Sequence, residues 1–437
     1  MRQRNQDNIR LTDEYAAKPD LFMAQRAPDS GDGCVDLSRR GFIGSAGLAA
    51  VSAAVGMTIP FGRNLRDGFV PAALAESAGT IAGKDGLIIL NDRPINAETP
   101  PYLLNDPITP TARHFICNNG ILPADVDPAK WTLTIDGLVE NPMKLSIADL
   151  KSKFEVVELA LQLECAGNGR AHFDPRARGN QWTLGAIGCS KWTGVRLSDV
   201  LKAAGVKPNV VYTAHEGADE HLSGDDSKRS VSRGIPIQKA MDPHNLLAFQ
   251  QNGKDIHFMH GAPLRLVVPG WAGSCSQKWL RRIWLRDVVH DGAKMTGAAY
   301  RMPRDPVAPG QKVPADDFVI IQSMPVKSLI TRPRTNLETK DRTIEVEGHA
   351  WAGDRAVKKL DVSTDFGTTW QDAELDDPVN PYAWQNWRAS VNFPSPGYFE
   401  IWSRATDDKG NMQPFALAWN PQGYLNNTMH RIAVRVS

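Results

Sequence analysis

Apolar and polar residues alternate along several short stretches of the chain, and this pattern predicts strands more often than helices. In residues 154–163, Val157, Leu159, Leu161 and Leu163 are apolar with a two-residue period, which is typical of a strand with one buried face. The stretch leads directly into residues that are mostly small. The sequence therefore predicts a glycine-rich turn at the end of a buried strand.

Other segments of the same region predict further short strands and one clear helix. The predicted strands span residues 246–251, 255–258, 263–269 and 282–288. Asn252-Gly253 separates the first two and predicts a tight hairpin turn, because both residues tolerate positive φ. Residues 196–204 predict a helix that ends at Gly205, a residue suited to the left-handed C-cap position.

A proline-rich segment divides the chain into two differently patterned regions. Pro306, Pro309, Gly310 and Pro314 interrupt every periodicity, and beyond them the pattern predicts strands alone. These strands span residues 343–346, 359–363, 391–393, 398–405 and 432–436. About seven short strands with turns between them are typical of an immunoglobulin-like β-sandwich. The predicted divisions are a first domain over residues 76–303, a linker over 304–320 and the sandwich over 321–437.

Residues 1–75 have the pattern of a twin-arginine export signal. Arg39-Arg40 precede an uncharged stretch over residues 41–62, and Ala73-Leu74-Ala75 offers small residues to a signal peptidase. A membrane anchor is the competing interpretation, but five glycines and Pro60 make this stretch a poor spanning helix. The signal predicts a protein that is exported to the periplasm in its folded state.

Composition and charge exclude several classes of protein. The 437 residues are 42% hydrophobic and 23% charged, with 50 Lys+Arg against 49 Asp+Glu, so a broad nucleic-acid interface is not expected. Five cysteines are too few for a disulfide framework, and the sequence has no C-x-x-C or C-x-x-C-H motif for a zinc ribbon or a c-type haem. Any anionic ligand is therefore expected to be small and bound locally.

Four side chains are candidates for chemistry. Cys165 ends the predicted strand and precedes the small-residue turn, which displays its thiol, although free cysteines are more often buried structural residues. His260, Arg265 and Lys278 surround a second strand-and-turn unit. An imidazole, a guanidinium and an ammonium together predict a pocket for phosphate or another oxyanion, and solvated surface charge is the alternative.

The order and spacing of several motifs resemble the sulfite oxidase family of molybdenum enzymes. The motifs are Glu164-Cys165-Ala166-Gly167-Asn168-Gly169-Arg170, Gln181-Trp182, Lys191-Trp192-Thr193-Gly194, His260-Gly261-Ala262-Pro263-Leu264-Arg265, Ser276-Gln277-Lys278-Trp279-Leu280 and Trp419-Asn420-Pro421-Gln422-Gly423-Tyr424. The resemblance covers roughly residues 100–437 and extends to exported bacterial sulfite dehydrogenases without a haem domain. It implies an α+β fold, in which a mixed α/β molybdopterin-binding domain precedes an immunoglobulin-like domain that forms a homodimer.

The resemblance also implies roles for individual residues. Cys165 is expected to bind molybdenum, because a thiolate is a soft ligand that completes a site whose other sulfurs come from a pterin dithiolene. The residues expected to hold the pyranopterin and its phosphate are Asn118, Asn119, Asp219, His260, Arg265, Ser276 and Lys278. Tyr300 is expected beside the metal oxo group, with Arg170 and Trp182 forming the anion site.

Two positions depart from the family pattern. Cys117 stands where the family places a substrate-binding arginine, and Gln422 stands where some members supply a second one. The loss of two cations weakens an oxyanion site, because a hydrogen bond to a charged group contributes about 1.5–3 kcal/mol. Arg170, Arg113 and His114 are the candidates to compensate for that loss.

The implied activity is a periplasmic oxidation of sulfite to sulfate, with molybdopterin as the cofactor, one molybdenum per chain and no haem in this chain. A separate cytochrome c is expected to accept the electrons. Because of Cys117 and Gln422, two alternatives stay open. One is the same cofactor acting on a sulfane or sulfoxide compound, and the other is a cofactor-loaded protein without sulfite turnover.

Overall fold

The computed structural model describes residues 81–124 and 126–437, and these form mostly short strands. The predicted twin-arginine signal, residues 1–75, lies outside the described residues. In the described part of the chain, no helix is long and apolar enough to span a membrane.

Thirteen of the strands and all three α-helices of the described chain precede residue 321. The strands are β1 (Ile88–Asp92), β2 (Ile95–Glu98), β3 (Thr132–Gly137), β4 (Met143–Ser146), β5 (Val156–Glu164), β6 (Ile187–Arg196), β7 (Tyr212–Gly217), β8 (Leu246–Gln251), β9 (Lys254–Asp255), β10 (Arg265–Val267), β11 (Leu280–Arg286), β12 (Arg301–Pro303) and β13 (Phe318–Ile320). The helices are α1 (Ile147–Lys153), α2 (Leu197–Ala204) and α3 (Ile237–Ala240). Ser146 starts α1 with a capping box, because its hydroxyl accepts from the Asp149 amide while the Asp149 carboxylate accepts from the Ser146 amide.

Two sheets build the first half of the structure. One has the strand order β10-β8-β6-β5, with β9 paired to β8, and all of its pairs are antiparallel. The other has the order β4-β3-β11-β7, and its β3–β11 pair is parallel. Apolar side chains from both sheets and from α2, including Leu133, Ile135, Val195 and Leu201, form one buried core. This core anchors the strand ends that carry the candidate site.

Two further sheets form the sandwich. Its strands are β14 (Lys327–Arg332), β15 (Leu337–Thr339), β16 (Thr343–Trp351), β17 (Val357–Ser363), β18 (Gln371–Asp372), β19 (Glu374–Leu375), β20 (Gln385–Asn392), β21 (Gly397–Asp407) and β22 (His430–Val436). The sheet orders are β14-β16-β20-β19 and β15-β22-β21-β17-β18. Val346, Val362, Trp387 and Phe393 belong to the core that the two sheets enclose. The predicted fold class, a mixed α/β domain followed by a β-sandwich, is confirmed.

Several elements agree with the sequence pattern and one does not. The strand predicted over 154–163 is β5, and the helix predicted over 196–204 is α2, which ends at Gly205 with φ 69°. The hairpin at Asn252-Gly253 is also present. The strand predicted over 255–258 is wrong beyond Asp255, because the chain enters a 3-10 helix at Phe258–His260. That short helix turns His260 into the protein interior, where it is completely buried.

Candidate active site

Cys165 lies where β5 ends, in a turn in which hydrogen bonds hold both its amide and its carbonyl. Its amide donates to the Ala186 carbonyl at 2.9 Å, and its own carbonyl accepts from the Asn168 amide at 2.9 Å. Gly169 closes the turn with φ 94°, and a Cβ there would lie 2.5 Å from Asn426 Nδ2, so only glycine fits. The Cys165 Sγ is 3.8 Å from the Cys117 Sγ. The predicted metal ligand therefore has a second thiol beside it.

Two cavities meet at Cys165. The first is lined by Arg265, Ser276 and Lys278, and the second by Arg170, Trp182 and Lys294. The residues that line both are Cys117, Asn118, Asn119, Cys165 and Tyr300. A group bound to the Cys165 sulfur would consequently be reachable from two directions, one cavity holding the body of a cofactor and the other admitting a substrate.

Buried basic side chains lie in the wall of the first cavity and directly behind it. Lys278 Nζ donates to Asn118 Oδ1 at 2.5 Å and to the Met259 carbonyl at 2.7 Å. Next to this cavity, Lys84 Nζ lies 2.5 Å from His260 Nε2. His260 Nδ1 is 2.7 Å from Gln251 Oε1, and its Nε2 is 3.2 Å from the His114 carbonyl, so both ring nitrogens have a polar neighbour.

These basic side chains are buried with little negative charge among the described residues beside them, which disfavours their protonated forms. Burial, with repulsion from Arg265, lowers the pKa of Lys278 to about 7, and burial with repulsion from Lys278 lowers the pKa of Lys84 to about 6. Burial also holds the pKa of His260 well below its usual range. Asp219 is the one carboxylate that lines the first cavity in the described chain, and burial raises its pKa. The cavity is therefore built for an anion.

Unpaired polar atoms indicate what kind of molecule fits the first cavity. Five of the residues that line it carry a buried polar atom without a hydrogen-bond partner, namely His114 Nε2, Arg265 Nε, Ser274 Oγ, Gln277 Oε1 and Trp279 Nε1. Unpaired buried groups are costly, so a ligand rich in donors and acceptors would stabilise this arrangement. A pyranopterin with a phosphate tail has both the polar edges and the negative charge, and the residues present fit it.

The structure brings most of the predicted cofactor residues to this cavity. Asn118, Asn119, Asp219, Arg265, Ser276 and Lys278 line it. His260 does not line it, because its imidazole lies behind the wall and contacts Lys84 instead. Ser276 Oγ accepts from the Val268 amide at 2.9 Å, which fixes the turn that follows β10.

The second cavity has a positive wall. Arg170, Arg178 and Lys294 line it, and none of its lining residues in the described chain is Asp or Glu. Arg170 Nε donates to the Gln422 carbonyl at 2.8 Å, and Arg170 Nη1 donates to the Asn180 carbonyl at 2.9 Å. Trp182, the other predicted pocket residue, also lines this cavity.

Tyr300 stands between the two cavities. Its hydroxyl donates to Asn119 Oδ1 at 3.0 Å, and its ring stacks on Tyr424 with 5.5 Å between the ring centroids. The residue adopts φ 53°, an unusual conformation for a bulky side chain and one that is concentrated at functional sites. Burial holds the pKa of this phenol well above its usual range, so it carries its proton at neutral pH.

Sequence reasoning missed three of these basic residues and misplaced another. Lys84, Arg178 and Lys294 belong to no recognised motif, and only the fold brings them to the site. Arg113, a candidate to replace the missing arginine, faces Asp85 and Asp106 and lines neither cavity. His114 lines the first cavity only.

Comparison with known proteins agrees with this geometry. The oxidoreductase molybdopterin binding domain matches residues 119–294, and the Mo-co oxidoreductase dimerisation domain matches residues 319–437. The sulfite oxidase of Gallus gallus is 33% identical over 373 residues, which cover 83% of this chain and 80% of that protein. The chain belongs to the sulfite oxidase family. Its cofactor is therefore molybdopterin, and the predicted family and cofactor are confirmed.

Two further proteins are similar to this chain over most of its length. The mitochondrial sulfite oxidase of Rattus norvegicus is 34% identical over 369 residues, which cover 80% of this chain and 66% of that protein. The chain thus spans just under two thirds of that relative's length. The structure of the sulfane dehydrogenase SoxCD from Paracoccus pantotrophus is 25% identical with a TM-score of 0.63, over 96% of this chain and 99% of that one.

Proposed function

We propose that this sulfite oxidase family member is a molybdenum oxidoreductase that oxidises sulfite to sulfate. The observation that carries the proposal is the positive second cavity, which reaches Cys165 and has no carboxylate among its described lining residues. A small dianion is attracted to such a wall, whereas a neutral or cationic substrate is not. Sulfite and one water give sulfate, two electrons and two protons.

Six of the predicted residues have a physical task in this proposal. When bound, molybdopterin supplies the metal that accepts the two electrons. Cys165 would bind that metal through its thiolate, with Arg265 and Lys278 holding the anionic part of the cofactor in the first cavity. Arg170 would bind the substrate anion, with its guanidinium fixed by two backbone carbonyls so that little entropy is lost on binding.

Tyr300 and Trp182 would complete the substrate site. The Tyr300 hydroxyl is bonded only to Asn119 Oδ1 among the contacts of the described chain, so its oxygen can still accept a hydrogen bond, and the residue lines both cavities. The Trp182 indole is 1% exposed and packs edge-on against Phe115, with 6.5 Å between the ring centroids. This packing keeps the wall of the pocket rigid.

Metal analysis and a sulfite assay test the proposal together. Protein matured in cells supplied with molybdate should contain one molybdenum and one pterin per chain, and it should reduce an artificial acceptor only when sulfite is added. A preparation without molybdenum and pterin would contradict the proposed chemistry. A fully loaded preparation that ignores sulfite would contradict the substrate alone.

Oxidation of a sulfane sulfur compound is the second candidate. It is favoured by the likeness to a structure named as a sulfane dehydrogenase and by Cys117, whose side chain is smaller than an arginine and leaves room for a bulkier substrate. Initial rates with sulfite and with a protein-bound or organic persulfide, measured on the same loaded preparation, separate the two candidates.

The cellular location, the electron acceptor and the oligomeric state belong to the same proposal. The predicted twin-arginine signal supports a periplasmic location, where a separate cytochrome c would take the electrons. The dimerisation domain match supports a homodimer. Cell fractionation of the full chain, sedimentation at micromolar concentration and sulfite-dependent reduction of a purified cytochrome c test these three statements separately.

A further inference from the structure

The second cavity lacks the arginine that the family pattern places at position 117, yet it does not lack positive charge. Lys294 contributes an ammonium group from an entirely different element, the segment that follows β11. Position 294 belongs to none of the motifs that carry the family resemblance. The positive charge at this wall therefore comes from a part of the chain other than position 117.

The main chain of Lys294 is held in an uncommon conformation. Its φ is 65°, a left-handed conformation that is unfavourable for a long side chain and persists only when the surroundings impose it. The buried Arg233 imposes it by donating from Nη1 to the Lys294 carbonyl at 3.1 Å. The Ser232 amide also donates to the Ala293 carbonyl at 3.0 Å. The backbone thus aims the Lys294 side chain before any ligand arrives.

The Lys294 side chain points to the junction of the two cavities. Its Nζ donates to Asn119 Oδ1 at 2.6 Å, and the same oxygen accepts from the Tyr300 hydroxyl at 3.0 Å. An ammonium has three N–H donors, and the described chain shows a partner for one of them. The other two are available to a ligand in the second cavity beside Tyr300, Cys117 and Cys165.

We propose that Lys294 is the substrate-binding cation that replaces the arginine missing at position 117, and that it binds the sulfur oxyanion together with Arg170. The inference rests on the proposed function for its substrate class. An ammonium is a compact charge without the planar fork of a guanidinium. The site should therefore bind a tetrahedral or pyramidal oxyanion by charge, with less demand on its orientation than an arginine makes.

A matched pair of lysine variants tests the inference. Lys294→Met keeps the length of the side chain and removes its charge, and Lys312→Met makes the same change at an exposed lysine. On the molybdenum-loaded protein, Lys294→Met should raise the KM for sulfite by about ten-fold or more, with a smaller change in kcat. It should weaken the binding of inorganic sulfate, measured by calorimetric titration at constant ionic strength, by a similar factor. Lys312→Met should change neither.

Two restoring variants separate a role of the charge from a role in folding. Lys294→Arg should keep sulfate affinity within about three-fold, and Cys117→Arg added to Lys294→Met should recover most of the lost affinity, because both return a cation to the same wall. The inference is overturned if Lys294→Met leaves the KM and the sulfate affinity unchanged. It is also overturned if neither restoring variant recovers affinity while molybdenum content and the unfolding temperature stay at the parent level.

The sulfate titration keeps this test separate from that of the proposed function. If the parent protein binds sulfate through Lys294 but does not oxidise sulfite, the sulfite activity is refuted and the oxyanion site stands. If the parent protein oxidises sulfite and Lys294→Met behaves as the parent does, the activity stands and the inference is refuted.

Discussion

At the scale of single residues, the site depends on two sulfur atoms 3.8 Å apart that are assigned different tasks. Cys165 lies in a turn fixed by backbone hydrogen bonds, while Cys117 lines the same two cavities from the opposite segment. The Cys117 thiol and burial hold the pKa of Cys165 well above its usual range, so the free thiol keeps its proton. Binding a metal cation would remove that proton, because only the thiolate is a ligand.

Cys165→Ser and Cys117→Ser make the same chemical change at the two sulfurs and should have unequal effects. Cys165→Ser should lower sulfite turnover more than about a hundred-fold, since even the loss of a residue behind a metal ligand costs 10–100-fold. Cys117→Ser should stay within about ten-fold of the parent. Both should unfold at nearly the parent temperature, because the volume hardly changes. The reverse order of turnover would show that the metal ligand had been assigned to the wrong cysteine.

At the scale of elements, two strands of the sandwich donate hydrogen bonds to the residue at which β5 ends. The Glu164 carboxylate is completely buried and accepts from Lys327 Nζ at 2.6 Å, from Trp351 Nε1 at 2.8 Å and from Asn168 Nδ2 at 3.0 Å. Lys327 and Trp351 belong to sandwich strands β14 and β16, whereas Glu164 immediately precedes Cys165. The second domain thus fixes the residue next to the predicted metal ligand.

Lys327→Met should destabilise the protein far more than the same change at a surface ion pair. It leaves the Glu164 carboxylate buried without its counter-charge, which costs about 3–5 kcal/mol. Lys153→Met removes an exposed pair with Asp149 and should cost far less, because solvent screens the two charges. Denaturant unfolding of the two variants measures the difference. Adding Glu164→Gln to Lys327→Met should recover part of the loss, and equal costs for the two single variants would disprove the role of the buried pair.

The sequence pattern could predict the elements that carry Cys165 but not every group that surrounds it. The period of β5, the small residues after it and the cap at Gly205 are local signals, and each appears where it was predicted. The burial of β5 differs, since Leu161 to Glu164 are buried on both faces where the sandwich packs against them. Lys84 and Lys294 bond to residues 176 and 175 positions away, and no local pattern encodes such contacts.

At the scale of the whole molecule, the positive first cavity couples cofactor binding to folding. Without an anion, the folded protein disfavours protonated Lys84 and Lys278, whose pKa values fall to about 6 and about 7 from the ordinary 10.5. In the pH range between these lowered pKa values and 10.5, the unfolded chain therefore binds more protons than the folded one. Stability rises with pH wherever the unfolded state binds more protons. Molybdopterin, as an anion, would raise both pKa values and reduce this dependence.

The cofactor-free protein should consequently become more stable as the pH rises from about 7 toward 9. The cofactor-loaded protein should change less, so the difference in unfolding free energy between the two should narrow with increasing pH. Denaturant titrations of both forms between pH 6 and 9 measure this difference. A gap that widens with pH would mean that the buried lysines do not govern the coupling.

The contacts between the sandwich and the turn that carries Cys165 also limit which second domains could be joined to this first domain. Lys327 and Trp351 reach Glu164, and Asn426 Nδ2 donates to the Gly169 carbonyl at 2.7 Å, so both ends of the turn depend on side chains from beyond residue 320. A chimera that took its second domain from an unrelated β-sandwich would lose these donors and leave an uncompensated buried carboxylate at Glu164, next to the predicted metal ligand. We therefore expect the two domains to be exchangeable between proteins only as a matched pair, even though each has its own hydrophobic core.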